Sequence, residues 1–164
     1  MAEQIFEESR EMMDIVLKLK EERFDLFGSL FSTVQESMIA CAVRVDKAAS
    51  SSCNEVLKIK GVKGPLTVIS NGKRYLLYGY KTKWDDCSPN QKIAWIANML
   101  CRIDFPTEEE IRDLMEKNED FEFGKIKKPD VNDFRLFLKN ESLGLDWADK
   151  DDIGNLIEDK NIQN

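Results

Sequence analysis

The sequence predicts an α+β domain. It should hold a small antiparallel or mixed sheet of three to five strands, an amino-terminal helix, a central helix packed on the sheet, and acidic helices closing the carboxyl end. Two observations carry this reading. Most short β-rich runs fall within residues 35–80, whereas apolar residues on either side recur at three- and four-residue intervals, the spacing of a helix with one buried face. The stretch after Ser88 also opens with the strongest helix-start signal in the chain. At 164 residues the chain is long enough to bury a core as a single domain, 1–164, with ordered structure expected over about 3–147, an acidic helix over 149–160 and a frayed tail.

In chain order, residues 3–27 read as one amphipathic helix with Ile5, Met12, Met13, Val16, Leu17, Phe24 and Phe27 near one side and Gly28 as its stop. Residues 35–46, QESMIACAVRVD, are short and β-branched and suit a first strand, and 47–54, KAASSSCN, a surface loop without phosphate-binding glycines. Val56–Lys60 and Leu66–Ser70 alternate, and Arg74–Tyr80 follows across Asn71-Gly72. An Asn-Gly pair between β-rich runs predicts a hairpin at 66–80, because type I′ turns need positive φ at both central positions.

Ser88-Pro89-Asn90-Gln91 supplies a hydroxyl at the cap, proline where no amide hydrogen is needed, and glutamine at N3. A helix over 89–103 follows, buried along the side of Ile93, Ile96, Ala97, Leu100 and Ile103, with Asn98 and Arg102 one turn apart. It should end before Pro106. Thr107 begins a second capped helix with Ile111, Leu114 and Met115 as its apolar face. Residues 120–127 suit a short strand or extended segment, and further helices are expected from Asp130 and from about Asp149 to Asp159.

Composition excludes several classes. With 42% hydrophobic and 34% charged residues the chain is globular in character, and neither a membrane-length apolar run nor a basic-then-apolar leader is present, so a cytosolic protein is expected. The four cysteines are too scattered for a disulfide framework and read as buried thiols. There is no histidine at all, which removes every scheme using imidazole as base, shuttle or ligand. Asp85-Asp86 and Asp149-Asp151-Asp152 lack EF-hand spacing and read as solvated surface; Cys101 has no histidine to activate it. The net charge of −7 is uneven: −3 over residues 1–60, +4 over 61–105 and −8 over 106–164. The acidic last third repels phosphate, so no direct nucleic-acid partner is expected, and a protein that itself binds nucleic acid is the better partner. Lys73, Arg74, Lys81 and Lys83 around Tyr75, Tyr78, Tyr80 and Trp84 form the one basic, aromatic stretch, read as an ordinary sheet edge with solvated lysines or, alternatively, as an RNA- or DNA-stacking face or a partner interface.

The run from Trp84 through Gln91-Lys92-Ile93-Ala94 into an apolar helix resembles the segment that carries HExxH in the putative phage metallopeptidases, a zincin-like family. Gly124 to Phe134, followed by Leu143-Gly144-Leu145-Asp146-Trp147, is similar to the family's closing segment. The resemblance implies a zincin-like fold. It sets Asn98-Met99-Leu100-Cys101-Arg102 where the family has His-Glu-x-x-His, and Pro129 where a third histidine is expected. A zincin needs two imidazoles one turn apart, a third ligand and a glutamate base; asparagine, arginine and methionine supply none of these. The implied protein is therefore not an enzyme, and has no cofactor and no metal.

A fold without its chemistry persists by binding. The resulting expectation is a phage- or mobile-element-encoded protein that inhibits a host factor, most concretely an anti-CRISPR-like inhibitor of a nucleic-acid-binding enzyme. Asp146, Asp149, Asp151, Asp152, Glu158 and Asp159 would be its contact residues, since few cations lie near them. The alternatives are an enzyme with a thiol or carboxylate site, and a phage structural or assembly subunit.

Overall fold

The computed structural model describes residues 6–45 and 56–127, together with Asn155 and Ile157. Ser9 decides how the chain begins. Its hydroxyl accepts from Met12 N at 3.3 Å and starts α1, Arg10–Glu22, which buries Met12, Val16 and Leu19 on one face. The residues before it, β1, Phe6–Glu8, form a strand. The single helix expected over 3–27 is thus incorrect: β1 pairs with a later strand, and no local pattern records that pairing. The helix also breaks at Arg23, whose φ of −118° and ψ of 46° separate α1 from α2, Phe24–Phe31. Arg23 is fully buried, with Nε and one terminal nitrogen 3.0 and 2.9 Å from the two carboxylate oxygens of Asp25. Gly28 lies inside α2 and ends nothing; a Cβ there would come within 2.9 Å of the Phe24 ring.

A short 3-10 turn, Glu36–Met38, leads into β2, Ile39–Arg44; β3 is Leu57–Gly61 and β4 is Tyr75–Tyr80. The sheet order is β1-β2-β4-β3, with β2 and β4 parallel and both outer pairs antiparallel. The expected mixed sheet is present, but the hairpin at 66–80 is not. Leu66–Ser70 belongs to α3, Pro65–Ile69, so β4 pairs with β3 instead. Asn71 and Gly72 do take positive φ, 57° and 85°, and they turn the chain out of α3 rather than joining two strands. Proline at the first helical position after Gly64 overrides the alternation of the short run.

The sheet has one core face. Ile39, Cys41, Val43, Leu57, Tyr75 and Leu77 point inward with residues of α1, α2 and α5 in one apolar cluster. Lys81–Asp86 forms α4, which buries Trp84, and Pro89–Cys101 forms α5. Every position of α5 from Ile93 to Leu100 is buried, on all sides rather than the one expected. Glu108–Glu116 forms α6, capped by Thr107, whose hydroxyl accepts from Glu110 N at 3.2 Å. The apolar face expected on α6 is not buried, and Met115 is largely exposed. Residues 120–127 form no strand and make an isolated bridge, Ile103 with Ile126. The helices expected from Asp130 and from Asp149 lie outside the described residues. Among the described residues no helix is long and apolar enough to cross a membrane.

Candidate functional site

The site is built on α5. Its start is fixed by a reciprocal pair: Ser88 Oγ accepts from Gln91 N at 3.2 Å, and Gln91 Oε1 accepts from Ser88 N at 2.9 Å. One turn on, Lys92 Nζ lies 2.8 Å from Glu11 Oε1, which also accepts from Trp84 Nε1 at 2.7 Å. Lys92 stands 5.2 Å from the Trp84 ring centroid as well, so α1, α4 and α5 are tied at one point. The hydrogen bond from Lys92 is the main reason the Glu11 carboxyl titrates below its usual range, outweighing partial burial.

The other end of α5 holds the residues singled out from the sequence. Asn98 is 1% exposed and Met99 fully buried. Arg102 Nε donates to Asn98 Oδ1 at 3.2 Å, so the two positions do face the same way, joined to each other. The segment over 120–127 folds back here: Lys127 N donates to Arg102 O at 2.8 Å, and Asp104 N to Lys125 O at 3.0 Å. Gly124 N is held by the buried Tyr75 hydroxyl at 3.2 Å. The chain two residues before Pro129 is therefore brought against the end of α5, as a site shared by the two segments requires. Pro129 itself, and Asp146, Asp149, Asp151, Asp152, Glu158 and Asp159, lie outside the described residues.

Chemically, this end of α5 offers a carboxamide, a thioether, the half-buried Cys101 thiol and a guanidinium, with Asp104, Lys125 and Lys127 nearby. None is an imidazole, and the guanidinium repels a cation. Among the described residues no three Cys, Asp or Glu side chains gather into a group that could hold a metal ion. Asp85 is ion-paired with Lys81 at 2.9 Å. The thiols of Cys41 and Cys87 are pushed up by burial, Cys41 to about 12, which removes them as nucleophiles at neutral pH.

The basic, aromatic stretch at 73–84 is divided by the fold. Tyr75 and Trp84 are buried, and Lys81 and Lys83 belong to α4. Tyr78 and Tyr80 instead share the outer face of the sheet with Phe6, Arg44, Lys58 and Lys60. The alternation of Lys58 and Lys60 was visible in the sequence; their register beside Tyr78 and Leu76 was not.

A mixed sheet backed by a buried helix, with a return segment docked at that helix's end, is the build of a zincin-like α+β domain. The chain belongs to the Putative phage metallopeptidase family, whose model matches residues 6–160. Comparison with curated proteins and with solved structures gave no match.

Proposed function

We propose that this protein is a non-catalytic member of its family that acts by binding a host protein, the partner being a nucleic-acid-binding enzyme and the action an anti-CRISPR-like inhibition. The observation that supports the loss of catalysis is the pairing of Asn98 with Arg102 at the positions the sequence resemblance gives to two histidines. Together with a chain that contains no histidine, these residues do not fit zinc: a guanidinium stands where a ligand is needed and Met99 where the base is needed. Binding is the role left to a retained fold. The acidic carboxyl third, −8 over residues 106–164, supports a partner with a positively charged channel.

Two measurements test this. Purified protein given zinc should hydrolyse no peptide substrate, and chelator should leave its melting curve unchanged; chelator-sensitive hydrolysis overturns the reading. Affinity capture at low and moderate salt should recover a nucleic-acid-binding enzyme. Replacing Asp149, Asp151 and Asp152 by asparagine should slow its association and flatten the salt dependence. No partner at either salt, or unchanged binding by the triple variant, refutes the acidic contact.

A further inference from the structure

The outer face of the sheet carries a set of groups that the metallopeptidase scaffold does not explain. Register places them. Phe6, Arg44 and Tyr80 lie across one level of β1, β2 and β4; Glu8, Ala42, Tyr78 and Lys58 lie across the next, and Leu76 and Lys60 across the one after. Phe6 meets Tyr78 edge to face at 6.3 Å between centroids, and the Arg44 guanidinium stands 6.0 Å from the Tyr80 centroid. Phe6 is 40% exposed, Tyr78 and Tyr80 are half-buried, and Lys58 and Lys60 project into solvent. Between them lies a cavity of about 230 Å³ lined by Phe6, Arg44, Val56, Lys58 and the 78–80 segment.

Core packing does not account for Phe6, Tyr78 and Tyr80 on this face, because the core residues of the same strands, Ile39, Cys41, Val43, Leu57, Tyr75 and Leu77, point the other way. Among the described residues, three aromatic rings beside three cations, with Glu8 as the acid in the same rows, form a stacking platform with a phosphate-binding flank. Bases stack on aromatic rings whatever their identity, and lysines on the neighbouring strand neutralise the backbone. A four-stranded sheet with exposed aromatics holds two or three bases this way. The acidic residues elsewhere in the chain do not cancel the local charge, since fields are screened within about 10 Å at 0.1 M salt.

We infer that the open sheet face binds single-stranded nucleic acid, with bases stacked on Phe6, Tyr78 and Tyr80 and phosphates on Arg44, Lys58 and Lys60. This stands apart from the proposed function: it does not depend on the loss of catalysis or on the acidic contact residues.

The test is fluorescence anisotropy of the full chain with labelled dodecamers of deoxythymidine and of uridine, and with a duplex of the same length, at several salt concentrations. Single strands should bind more tightly than the duplex. Tyr78→Ser with Tyr80→Ser should weaken binding at least tenfold. Lys58→Glu with Lys60→Glu, both at exposed positions, should weaken it too and reduce the slope of log affinity against log salt by about 1.4, two phosphate contacts at 0.7 each. Circular dichroism melts confirm that each variant is folded. No anisotropy change, equal or tighter duplex binding, or folded variants that bind like the unaltered protein would each overturn the inference. So would self-association through this face that excludes the oligonucleotides.

Discussion

Alanine in place of Gly61 should destabilise the protein more than any other single methyl group added to the sheet. Gly61 ends β3 where the return segment crosses it, and a Cβ built there lies 1.6 Å from Gly124 O and 2.6 Å from Gly124 C. The obstacle is backbone, so no side-chain rotation relieves it. The carbonyl must retreat to the 3.4 Å at which ordinary contact begins. That retreat pulls Gly124 N from the Tyr75 hydroxyl, now 3.2 Å away in a buried setting, and loosens the bridge of Ile126 with Ile103. Overpacking costs about 1–3 kcal/mol and a buried amide left without its acceptor about 1–3 more, partly shared, so about 3 kcal/mol is a fair total. For a chain of this size each kcal/mol moves the melting temperature by about 2–4 °C, giving a fall of about 6–12 °C. Thermal melts followed by circular dichroism measure it. Tyr75→Phe, which removes only the acceptor, should cost less, and the double variant should fall short of the sum because both release one segment. A melting temperature within 2 °C of the unaltered protein for Gly61→Ala refutes the claim that this segment is clamped on β3.

Ser88→Ala should cost about 1 kcal/mol, a loss of about 2–4 °C, since it leaves Gln91 N without its cap; an unchanged melt would mean the cap contributes nothing. Glu11 has a lowered folded-state pKa, so its contribution is present above the usual value of 4.5 and is lost as pH falls through the lower folded value. Glu11→Gln should therefore flatten the acid limb of stability against pH, and an unaltered limb would show that the Lys92 pairing carries no linkage. Cys41, with its thiol raised to about 12, should resist thiol reagents at pH 8 until the protein unfolds; rapid labelling of Cys41 in the native state would contradict its burial.

Local signals were legible where one segment contains all the partners. The box at Ser88 and Gln91, the helix after it, and the pairing direction of Asn98 and Arg102 all follow from spacings of three and four residues. So did the cap at Thr107 and the positive φ at Asn71 and Gly72. The Ser9 cap was equally available, three residues before the Met12 it serves, but the apolar residues upstream extended the helical pattern past it. Leu66–Ser70 failed for the opposite reason: alternation over five residues is too short to outweigh a proline placed at a helix start.

By itself the sequence determined the fold class, the family resemblance, the central helix and the absence of imidazole chemistry, because each depends on residue type or on neighbours a turn apart. Tertiary structure decided the rest. Phe6–Glu8 became a strand because β2 offered an open edge, and α5 became buried on every side from Ile93 to Leu100 because it packs between α1 and the sheet. The outer face of the sheet was assembled from Phe6, Arg44, Lys58 and Tyr78, which are separated by up to 72 positions along the chain. Strand pairing across such distances is set by which edges remain free after the core has packed, and no local periodicity encodes that.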